Sequence, residues 1–433
     1  MIQRIEYLDR LAELREKPQI TAFCGIRGCG KTTFLAMYVE WLRRSGVEDA
    51  QIVFAGLDDP ESESLLNYQG LYGYIKKRLC EGRLTHVFID DIQRCADYEK
   101  AVEGLLIKRQ IALYVTASNS GVFSRMPYTA VRMLPLSFSE YMVFSRAKIL
   151  GQLGDFSPPV GGGAAQEAKP ERRLPRHRAQ LEKHLRREAF NNYVSFGGFP
   201  FTAALGGDAA LIRQCVDGIY NTILVKDVAR QAGINDIPLL ERIAQMMSQS
   251  AGSPLNSKKL SAAISAKGRK ISANTVETYM RALVSAFVFY HVERYDLKTE
   301  KRLKTLGKYY IADTGIRNLL LGAAPDLNGQ LENVVCLELL RRGFEVCIGK
   351  CGGDEVSFVA FAPPAEKGEK QAYFQVAASV RDSAVLAGKL SPLEQIPDSH
   401  PKYILSLDET PFRSSRGGIT QRNLIDWLLD TKR

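Results

Sequence analysis

Short apolar runs alternate with amphipathic segments through the first 140 residues. Five runs have the apolar, β-branched composition of buried strands, and the segments between them repeat apolar residues at helical spacing. The runs cover 19–24, 51–57, 86–90, 111–117 and 131–136. Pro135 lacks a backbone N–H, so the fifth run should end there or lie at a sheet edge. The pattern predicts an α/β domain over residues 1–150 that begins with an amphipathic helix at 2–14.

A second pattern, three helices followed by two strands, occupies residues 236–320. The helices are predicted at 237–247, 256–264 and 272–287, with Ser272 as the N-cap of the third. The strands are predicted at 288–297 and 303–311. This order resembles a winged helix, in which the third helix enters the major groove of DNA and the wing contacts phosphate. Packing of the module on the nucleotide domain or on a protein partner is the alternative that stays open.

The remaining segments divide into a linker, a helical connector and a C-terminal domain. Residues 151–180 are rich in Pro, Gly and basic residues without apolar periodicity, which predicts a flexible basic linker or insertion. Residues 181–235 return to helical patterning and form the connector. Within 321–433, a helix at 331–343 precedes strands at 344–348, 355–360 and 373–376.

Bulk composition narrows the class of protein. The 433 residues are enough for two or three domains, and 45% hydrophobic with 24% charged residues is typical of a globular protein. Eight scattered cysteines suit a reducing compartment better than a disulfide framework. No apolar run reaches membrane-spanning length, and the N-terminus lacks a signal-peptide pattern. A cytoplasmic protein without a membrane partner is expected.

The net charge of +10 is concentrated in two segments. Residues 257–308 hold twelve Lys or Arg and four Asp or Glu, and residues 171–188 hold seven and three. A localised positive surface favours a polyanionic partner, so double-stranded DNA is a candidate partner through 257–308. Solvated helix faces and a charged linker are the alternative reading of the same charges.

One motif carries the clearest chemistry. Residues 25–32 read GIRGCGKT, which matches GxxxxGK[ST] between an apolar strand and a helix. Glycines let the backbone N–H groups approach a polyphosphate, and the helix adds its positive N-terminal end. Lys31 would reach the β- and γ-phosphates of ATP, and Thr32 would ligate Mg²⁺. The predicted nucleotide-binding set is Gly25, Gly28, Cys29, Gly30, Lys31, Thr32 and Thr33.

Carboxylates and an amide follow two later strands. Asp90 and Asp91 close the run 86–91, with Asp90 the candidate Mg²⁺ ligand and Asp91 the candidate base for the attacking water. Asn119 follows the run 111–117 and is a candidate sensor of the γ-phosphate. Each has a plain alternative, because carboxylates at strand ends and Asn in turns are common.

Together these segments resemble a family of bacterial and archaeal AAA-type ATPases. The resemblance rests on GIRGCGKT, VFIDDIQ (87–93), TASNS (116–120), LPLSFSEY (134–141) and YVSFGGFP (193–200). It implies a parallel five-stranded P-loop NTPase core, with Asp90 and Asp91 in the metal and catalytic positions, and a C-terminal domain related to the restriction-endonuclease-like fold. The second carboxylate is usually Glu in this family, so Asp91 is one methylene shorter.

The C-terminal domain departs from a working nuclease. Such a site needs an Asp on its second strand and a Glu/Gln-x-Lys on its third, because carboxylates bind Mg²⁺ and the Lys activates water. Here Ser357 occupies the first place and Ala377, two residues after Gln375, the last. Since strand residues alternate faces, Glu355 shares the face of Ser357. No metal-dependent cleavage is expected, and Glu332 and Glu338 are interpreted as solvated helix residues.

The leading hypothesis is a Mg²⁺-dependent ATPase that acts as a conformational switch on DNA or a protein partner. The alternative is a nucleotide-binding interaction protein with negligible turnover. A P-loop kinase of small molecules is a weaker third hypothesis, since no lid of basic residues is visible. Arg125, Arg132 and Arg230 are candidate arginine fingers for a neighbouring subunit if the chain forms a homo-oligomer.

Overall fold

The five apolar runs of the N-terminal region form one parallel sheet. The computed structural model of the protein describes residues 4–12, 20–107, 110–123, 128–152, 176–322, 326–362, 371–410 and 418–430. The strands are β1 (Ile20–Cys24), β2 (Ile52–Gly56), β3 (Thr85–Asp90), β4 (Ile111–Ala117) and β5 (Thr129–Arg132). Their order is β2-β3-β4-β1-β5, all parallel, which confirms the predicted core. Every residue of β1, β3 and β4 is buried, as expected of strands covered on both faces.

Helices cover this sheet and fix its loops. They are α1 (Ile5–Ala12), α2 (Lys31–Arg44), α3 (Tyr68–Lys76), α4 (Tyr98–Leu106) and α5 (Phe138–Gln152). The buried face of α2 carries Phe34, Tyr38 and Leu42 at helical spacing. The Tyr38 ring lies 5.1 Å from that of Tyr114 on β4, in an edge-on arrangement. The start of α2 is therefore held in place against the centre of the sheet.

A helical region follows. It comprises α6 (Arg176–Phe196), α7 (Pro200–Ala204), α8 (Ala209–Thr222), a π-helical turn (Ile223–Ala229), α9 (Arg230–Ala232), α10 (Ile237–Gln249), α11 (Ser257–Ser265) and α12 (Ala273–Ser285). The predicted linker 151–180 falls mostly on residues outside the described ranges, and its two ends belong to α5 and α6. The N-cap prediction for α12 is confirmed, since Ser272 Oγ accepts from the Thr275 N–H at 3.0 Å.

A second sheet contains the hairpin predicted as a wing. The remaining elements are β6 (Phe289–Asp296), β7 (Lys301–Ile311), α13 (Thr314–Leu321), α14 (Leu327–Arg341), β8 (Glu345–Cys351), β9 (Asp354–Phe361), β10 (Gln371–Val376), α15 (Ser383–Glu394), β11 (Lys402–Ser406), β12 (Ile419–Asn423) and α16 (Leu424–Leu429). The strand order is β12-β11-β10-β9-β8-β6-β7. Because β6 pairs with β8, the sheet is continuous across residue 320, where a boundary was predicted. The sequence pattern did not indicate this shared sheet.

Two motifs whose role is not evident from the sequence, at 134–141 and 193–200, connect the P-loop core to the helical region. The Leu136 N–H donates to the Gly198 carbonyl at 2.7 Å, and the Tyr193 hydroxyl donates to the Leu136 carbonyl at 3.0 Å. Asp313 Oδ2 accepts from the Gly198 N–H at 2.7 Å. LPLSFSEY and YVSFGGFP therefore act as a hydrogen-bonded seam between the P-loop core and the helical region.

Asn333 on α14 anchors the end of β7. Its Oδ1 accepts from the Ile311 N–H at 2.8 Å, and its Nδ2 donates to the Ile311 carbonyl at 2.9 Å. The side chain is fully buried. Because β7 is the edge strand, the backbone N–H and carbonyl of Ile311 bond to the Asn333 side chain in place of a further strand. These two bonds connect the hairpin to α14.

We expect Asn333→Ala to lower the free energy of unfolding by about 2–4 kcal/mol, because two buried backbone groups lose their partners. Urea titration followed by tryptophan fluorescence measures the change, and buried Trp427 reports on the C-terminal sheet. Asn274→Ala, at an exposed position of α12, is the matched control. Equal stability of the two variants would contradict the anchoring role.

Candidate functional site

The glycine-rich loop lies between the carboxyl end of β1 and the start of α2. Gly28 and Gly30 have φ values of 84° and 99°, a left-handed conformation that favours glycine. The first turn of α2 has no side-chain cap and no acidic residue. Its N–H groups therefore leave a positive helix end at the loop, as an anion site requires.

The loop is held from behind by close backbone contacts. A Cβ on Gly25 would collide with the Met133 carbonyl oxygen. Cys29 is fully buried, and Arg4 Nη1 donates to its carbonyl at 3.1 Å. Arg4 is itself held by Glu140 through two bonds of 2.9 Å. Cys29 thus offers a ligand only its backbone, and its side chain belongs to the core.

Lys31 is buried and anchored at the centre of the loop. Its Nζ donates to the carbonyls of Gly25 at 2.9 Å and Ile26 at 3.1 Å, and to Ser118 Oγ at 3.1 Å. Thr32 and Thr33 follow at exposed positions of the first helical turn. The ammonium and both hydroxyl groups therefore lie at one edge of the parallel sheet.

The two carboxylates end β3 beside that edge. The Thr116 hydroxyl on β4 donates to Asp90 Oδ1 at 2.5 Å and accepts from the Asp91 N–H at 2.8 Å. Asp90 is buried and faces a neighbouring strand through this contact. Thr116 was not predicted as a site residue. It lies two residues before Ser118, a spacing that places both side chains on the same face of an extended chain.

Asp91 adopts a left-handed backbone conformation, with φ of 55°. Its Oδ1 accepts from Gln93 Nε2 at 3.1 Å, and its Oδ2 lies 3.6 Å from Arg27 Nη1. Burial raises the pKa of the Asp91 carboxyl to about 6. The positive charges of Lys31 and Arg27 oppose this rise, and the negative charges of Asp90 and Asp58 add to it. A carboxyl poised near neutrality is suited to general-base chemistry.

The Asn119 side chain bonds within its own turn, whereas the neighbouring Ser118 side chain contacts Lys31. Its Oδ1 accepts from the Gly121 N–H at 2.8 Å, the turn role named as the alternative for this residue. Asn119 also lines a cavity of about 520 Å³ together with Gln93, Gln231 and Arg281. Ser118, one residue earlier, is the side chain that reaches Lys31.

Two of the three candidate arginine fingers lie within the described residues. Arg125 falls outside the described residues. Arg132, on the edge strand β5, lies 5.5 Å from the centre of the Tyr290 ring. Arg230 is exposed at the start of α9. Arg27, which was not among the candidates, is the arginine seen at the carboxylates.

A second polar cluster occupies the C-terminal sheet and includes Ser357 and Gln375, the residues compared above with a nuclease motif. Ser357 Oγ donates to Gln375 Oε1 at 3.0 Å and to Glu332 Oε1 at 3.2 Å. Lys308 Nζ lies 2.5 Å from Glu355 Oε1 and 3.6 Å from Glu332 Oε2. The Lys308 ammonium therefore occupies the space between the two carboxylates, where a cation would otherwise be needed.

The interpretation of Glu332 and Glu338 as solvated residues is wrong. Glu338 is buried and pairs with Arg341 at 2.7 Å and Arg342 at 2.8 Å, since a buried carboxylate requires cationic partners. Glu332 is half-buried within the cluster of Ser357 and Lys308. Across the described residues, no three His, Cys, Asp or Glu side chains are grouped to hold a metal ion.

Comparison with known proteins identifies the N-terminal region. Residues 17–142 match a family model described as an AAA domain. They contain the loop, both carboxylates and the five parallel strands described above. Residues 17–142 therefore resemble an AAA domain and have the five-stranded parallel sheet of a P-loop NTPase core. Residues 187–327 match a second family model, a domain of unknown function (DUF8612).

Relatives extend beyond the AAA domain. An uncharacterized protein of Haemophilus influenzae is 26% identical over 438 residues, covering 99% of each chain. The uncharacterized protein MJ1544 of Methanocaldococcus jannaschii is 22% identical over 358 residues, covering 79% of this chain and 71% of its own. The similarity to both relatives therefore extends beyond residues 17–142 of this chain.

Two solved structures match this chain at low identity. The Walker-type ATPase PABY2304 of Pyrococcus abyssi gives a TM-score of 0.44 at 12% identity, covering 74% of this chain and 96% of its own. The ORC1 protein of Aeropyrum pernix, solved in complex with DNA, gives 0.31 at 13% identity, covering 74% and 92%. In the described part of this chain, no helix combines the length and apolar character needed to cross a bilayer.

We expect Gly25→Ala to weaken nucleotide binding by at least about tenfold, or ~1.4 kcal/mol, because the added methyl displaces the loop from the Met133 carbonyl. Titration with a fluorescent ATP analogue measures the affinity. Gly73→Ala in α3, where a Cβ meets nothing within 4 Å, is the control. Unchanged affinity of Gly25→Ala would contradict the loop geometry.

Thr116→Val should raise the Mg²⁺ concentration required for ATP-analogue binding by about 10–100-fold, because Asp90 loses the hydroxyl that orients it. Thr21→Val, on the adjacent strand, is a matched control. Thr21 Oγ1 is buried without a hydrogen-bond partner within the described residues, so its loss should be neutral. Equal behaviour of both variants would remove Thr116 from the site.

Proposed function

We propose that the protein binds and hydrolyses ATP with Mg²⁺ and uses the reaction to switch its interaction with a partner. The observation that supports this most is the meeting of Lys31, Asp90 and Asp91 at the carboxyl ends of β1 and β3. Parallel strands bring such ends to one edge, where AAA-type domains hold nucleotide. The AAA family match is independent of that geometry.

Each predicted residue receives a proposed role. The backbone of Gly25, Gly28, Cys29 and Gly30, with Lys31 and Thr33, holds the phosphates. Thr32 and Asp90 supply the oxygen ligands that Mg²⁺ prefers. Bound Mg²⁺ neutralises charge on the β- and γ-phosphates. Asp91 accepts the proton of the attacking water, and Asn119 stays a proposed sensor.

Nucleotide binding with negligible turnover is the second candidate. It is favoured by the engagement of both Asp91 oxygens, one by Gln93 and the other by Arg27. A carboxylate held by two partners is restrained from reaching a water. A neighbouring subunit in a homo-oligomer could supply a further arginine, such as Arg132 or Arg230.

DNA is the proposed partner of the basic module. Lys258, Lys259, Lys267 and Lys270 are exposed on α11 and the turn after it. The α12 helix exposes Asn274, Thr275 and Thr278, small polar residues that fit a groove. Charge and shape together favour double-stranded DNA, and a protein partner is the alternative outcome of the experiment below.

The C-terminal domain is proposed to be a scaffold without nuclease activity. Lys308 neutralises the two carboxylates, and Ser357 replaces the expected acidic ligand. Incubation of supercoiled plasmid with the protein and Mg²⁺ or Mn²⁺ should leave the plasmid intact. Cleavage that survives Glu332→Gln and Glu355→Gln would point to contamination, and cleavage lost in them would overturn the proposal.

We expect Lys31→Ala to lose ATP binding and turnover, and Asp91→Asn to retain binding while turnover falls about 10²–10⁴-fold, as loss of a general base does. Phosphate release is measured for both variants and wild type at several protein concentrations. Turnover unaffected by either change would refute the site. Lys31-dependent binding without wild-type turnover would establish the second candidate.

The same assay with double-stranded DNA tests the partner. Turnover that needs Lys31 and rises with DNA supports a DNA-linked switch. A variant with Lys258, Lys259, Lys267 and Lys270 changed to Gln should lose that rise and keep the basal rate. Lys31-dependent turnover that is indifferent to DNA favours a protein partner, and a steep dependence on protein concentration indicates a homo-oligomer.

A further inference from the structure

One arginine of the phosphate loop connects the catalytic edge to the helical region. Arg27 Nε lies 2.7 Å from Asp227 Oδ2, and its Nη2 lies 2.9 Å from Asp227 Oδ1. This two-bond fork fixes the plane of the guanidinium as well as its position. Asp227 is 4% exposed, and a buried carboxylate requires a cationic partner of this kind.

The third nitrogen of the same guanidinium faces other carboxylates. Arg27 Nη1 lies 3.6 Å from Asp91 Oδ2 and 3.9 Å from Asp58 Oδ2. Since Asp227 holds the fork edge, the direction of Nη1 is set by a residue 200 positions away in the chain. Any displacement of Asp227 therefore moves the charge that Asp91 faces.

The backbone around Asp227 is an unusual one. Residues 223–229 form a π-helical turn between α8 and α9, a local widening that is frequent at functional sites. The preceding helix α8 also contacts the loop, because a Cβ on Gly28 would lie 3.3 Å from Ile219 Cγ1. The loop is thus packed against α8 by an apolar contact and connected to the π-helical turn by the ion pair.

We propose that Arg27 is a positioning residue for Asp91 and that Asp227 sets its position, so that the helical region controls the hydrolytic step. The idea rests on the proposed ATPase function. Polyphosphate held by Lys31 brings negative charge close to Arg27 and competes with Asp227 for the guanidinium. A shift of the helical region changes that competition and therefore the placement of Asp91.

The experiment separates positioning from a merely structural clamp. Asp227→Asn keeps the shape of the side chain and removes its charge. We expect its kcat to fall about tenfold or more, as small misplacements of reacting groups do, while affinity for a fluorescent ATP analogue stays within about threefold. We expect the same result for Arg27→Lys, because a single ammonium cannot make both bonds to Asp227 and also face Asp91. Asp217→Asn, an exposed Asp on α8, is the control and should match wild type.

The charge-exchanged double variant, Arg27→Asp with Asp227→Arg, decides between the two roles. It restores an ion pair and should recover the thermal midpoint, but it places a carboxylate beside Asp91, so kcat should stay low. Recovery of kcat in the double variant would overturn the proposal in favour of a clamp. Wild-type kcat in Asp227→Asn would overturn it as well.

Failure of the proposed function is recognised separately. If wild type and Lys31→Ala release phosphate at the same rate, the ATPase assignment fails and the positioning role fails with it. If wild-type turnover depends on Lys31 while the Asp227 and Arg27 variants keep wild-type kcat, only the positioning role is refuted.

Discussion

The approach of two backbone segments at Gly25 is the constraint on which the site depends. The Met133 carbonyl occupies the space that a side chain at residue 25 would need. The Met133 N–H also donates to the Cys24 carbonyl at 2.8 Å, so the chain after β5 is joined to the end of β1. Arg4 then holds the Cys29 carbonyl from the opposite end of the loop. The loop is thereby shaped by its neighbours, and no side chain of its own caps the start of α2.

In the C-terminal sheet, one buried ammonium lies between two carboxylates. Two carboxylates that converge in a partly buried place repel each other unless a positive charge separates them. Lys308, which is 2% exposed, supplies that charge from β7. Because β7 belongs to the hairpin that precedes the C-terminal domain, the neutralising group comes from outside α14 and β9, the elements that carry the two carboxylates. Lys308 therefore connects the β6–β7 hairpin to the C-terminal domain and, with the same contacts, neutralises the two carboxylates.

The pattern of the chain was sufficient for local structure and for the nucleotide motif. The five strands, the three helices of 237–285 and the N-cap Ser272 follow from periodicity and capping, which act over a few residues. Thr116 and Arg27 were missed because their roles depend on partners 26 and 200 positions away. Glu338 was misread for a different reason: its partners Arg341 and Arg342 are close in the chain, but α14 is buried on nearly all sides and its mixed sequence gives no clear apolar face. Nothing local reveals that β6 pairs with β8.

The shared sheet limits how the protein can move. The α12 helix leads directly into β6, and its residues Thr278 and Arg281 line the cavity that also contains Asn119 of the AAA domain. The hairpin of β6 and β7 is hydrogen-bonded to β8 and anchored on α14 by Asn333. A rearrangement that moved α12 alone would have to break this ladder, whereas one that moved α12 with the whole seven-stranded sheet would preserve it.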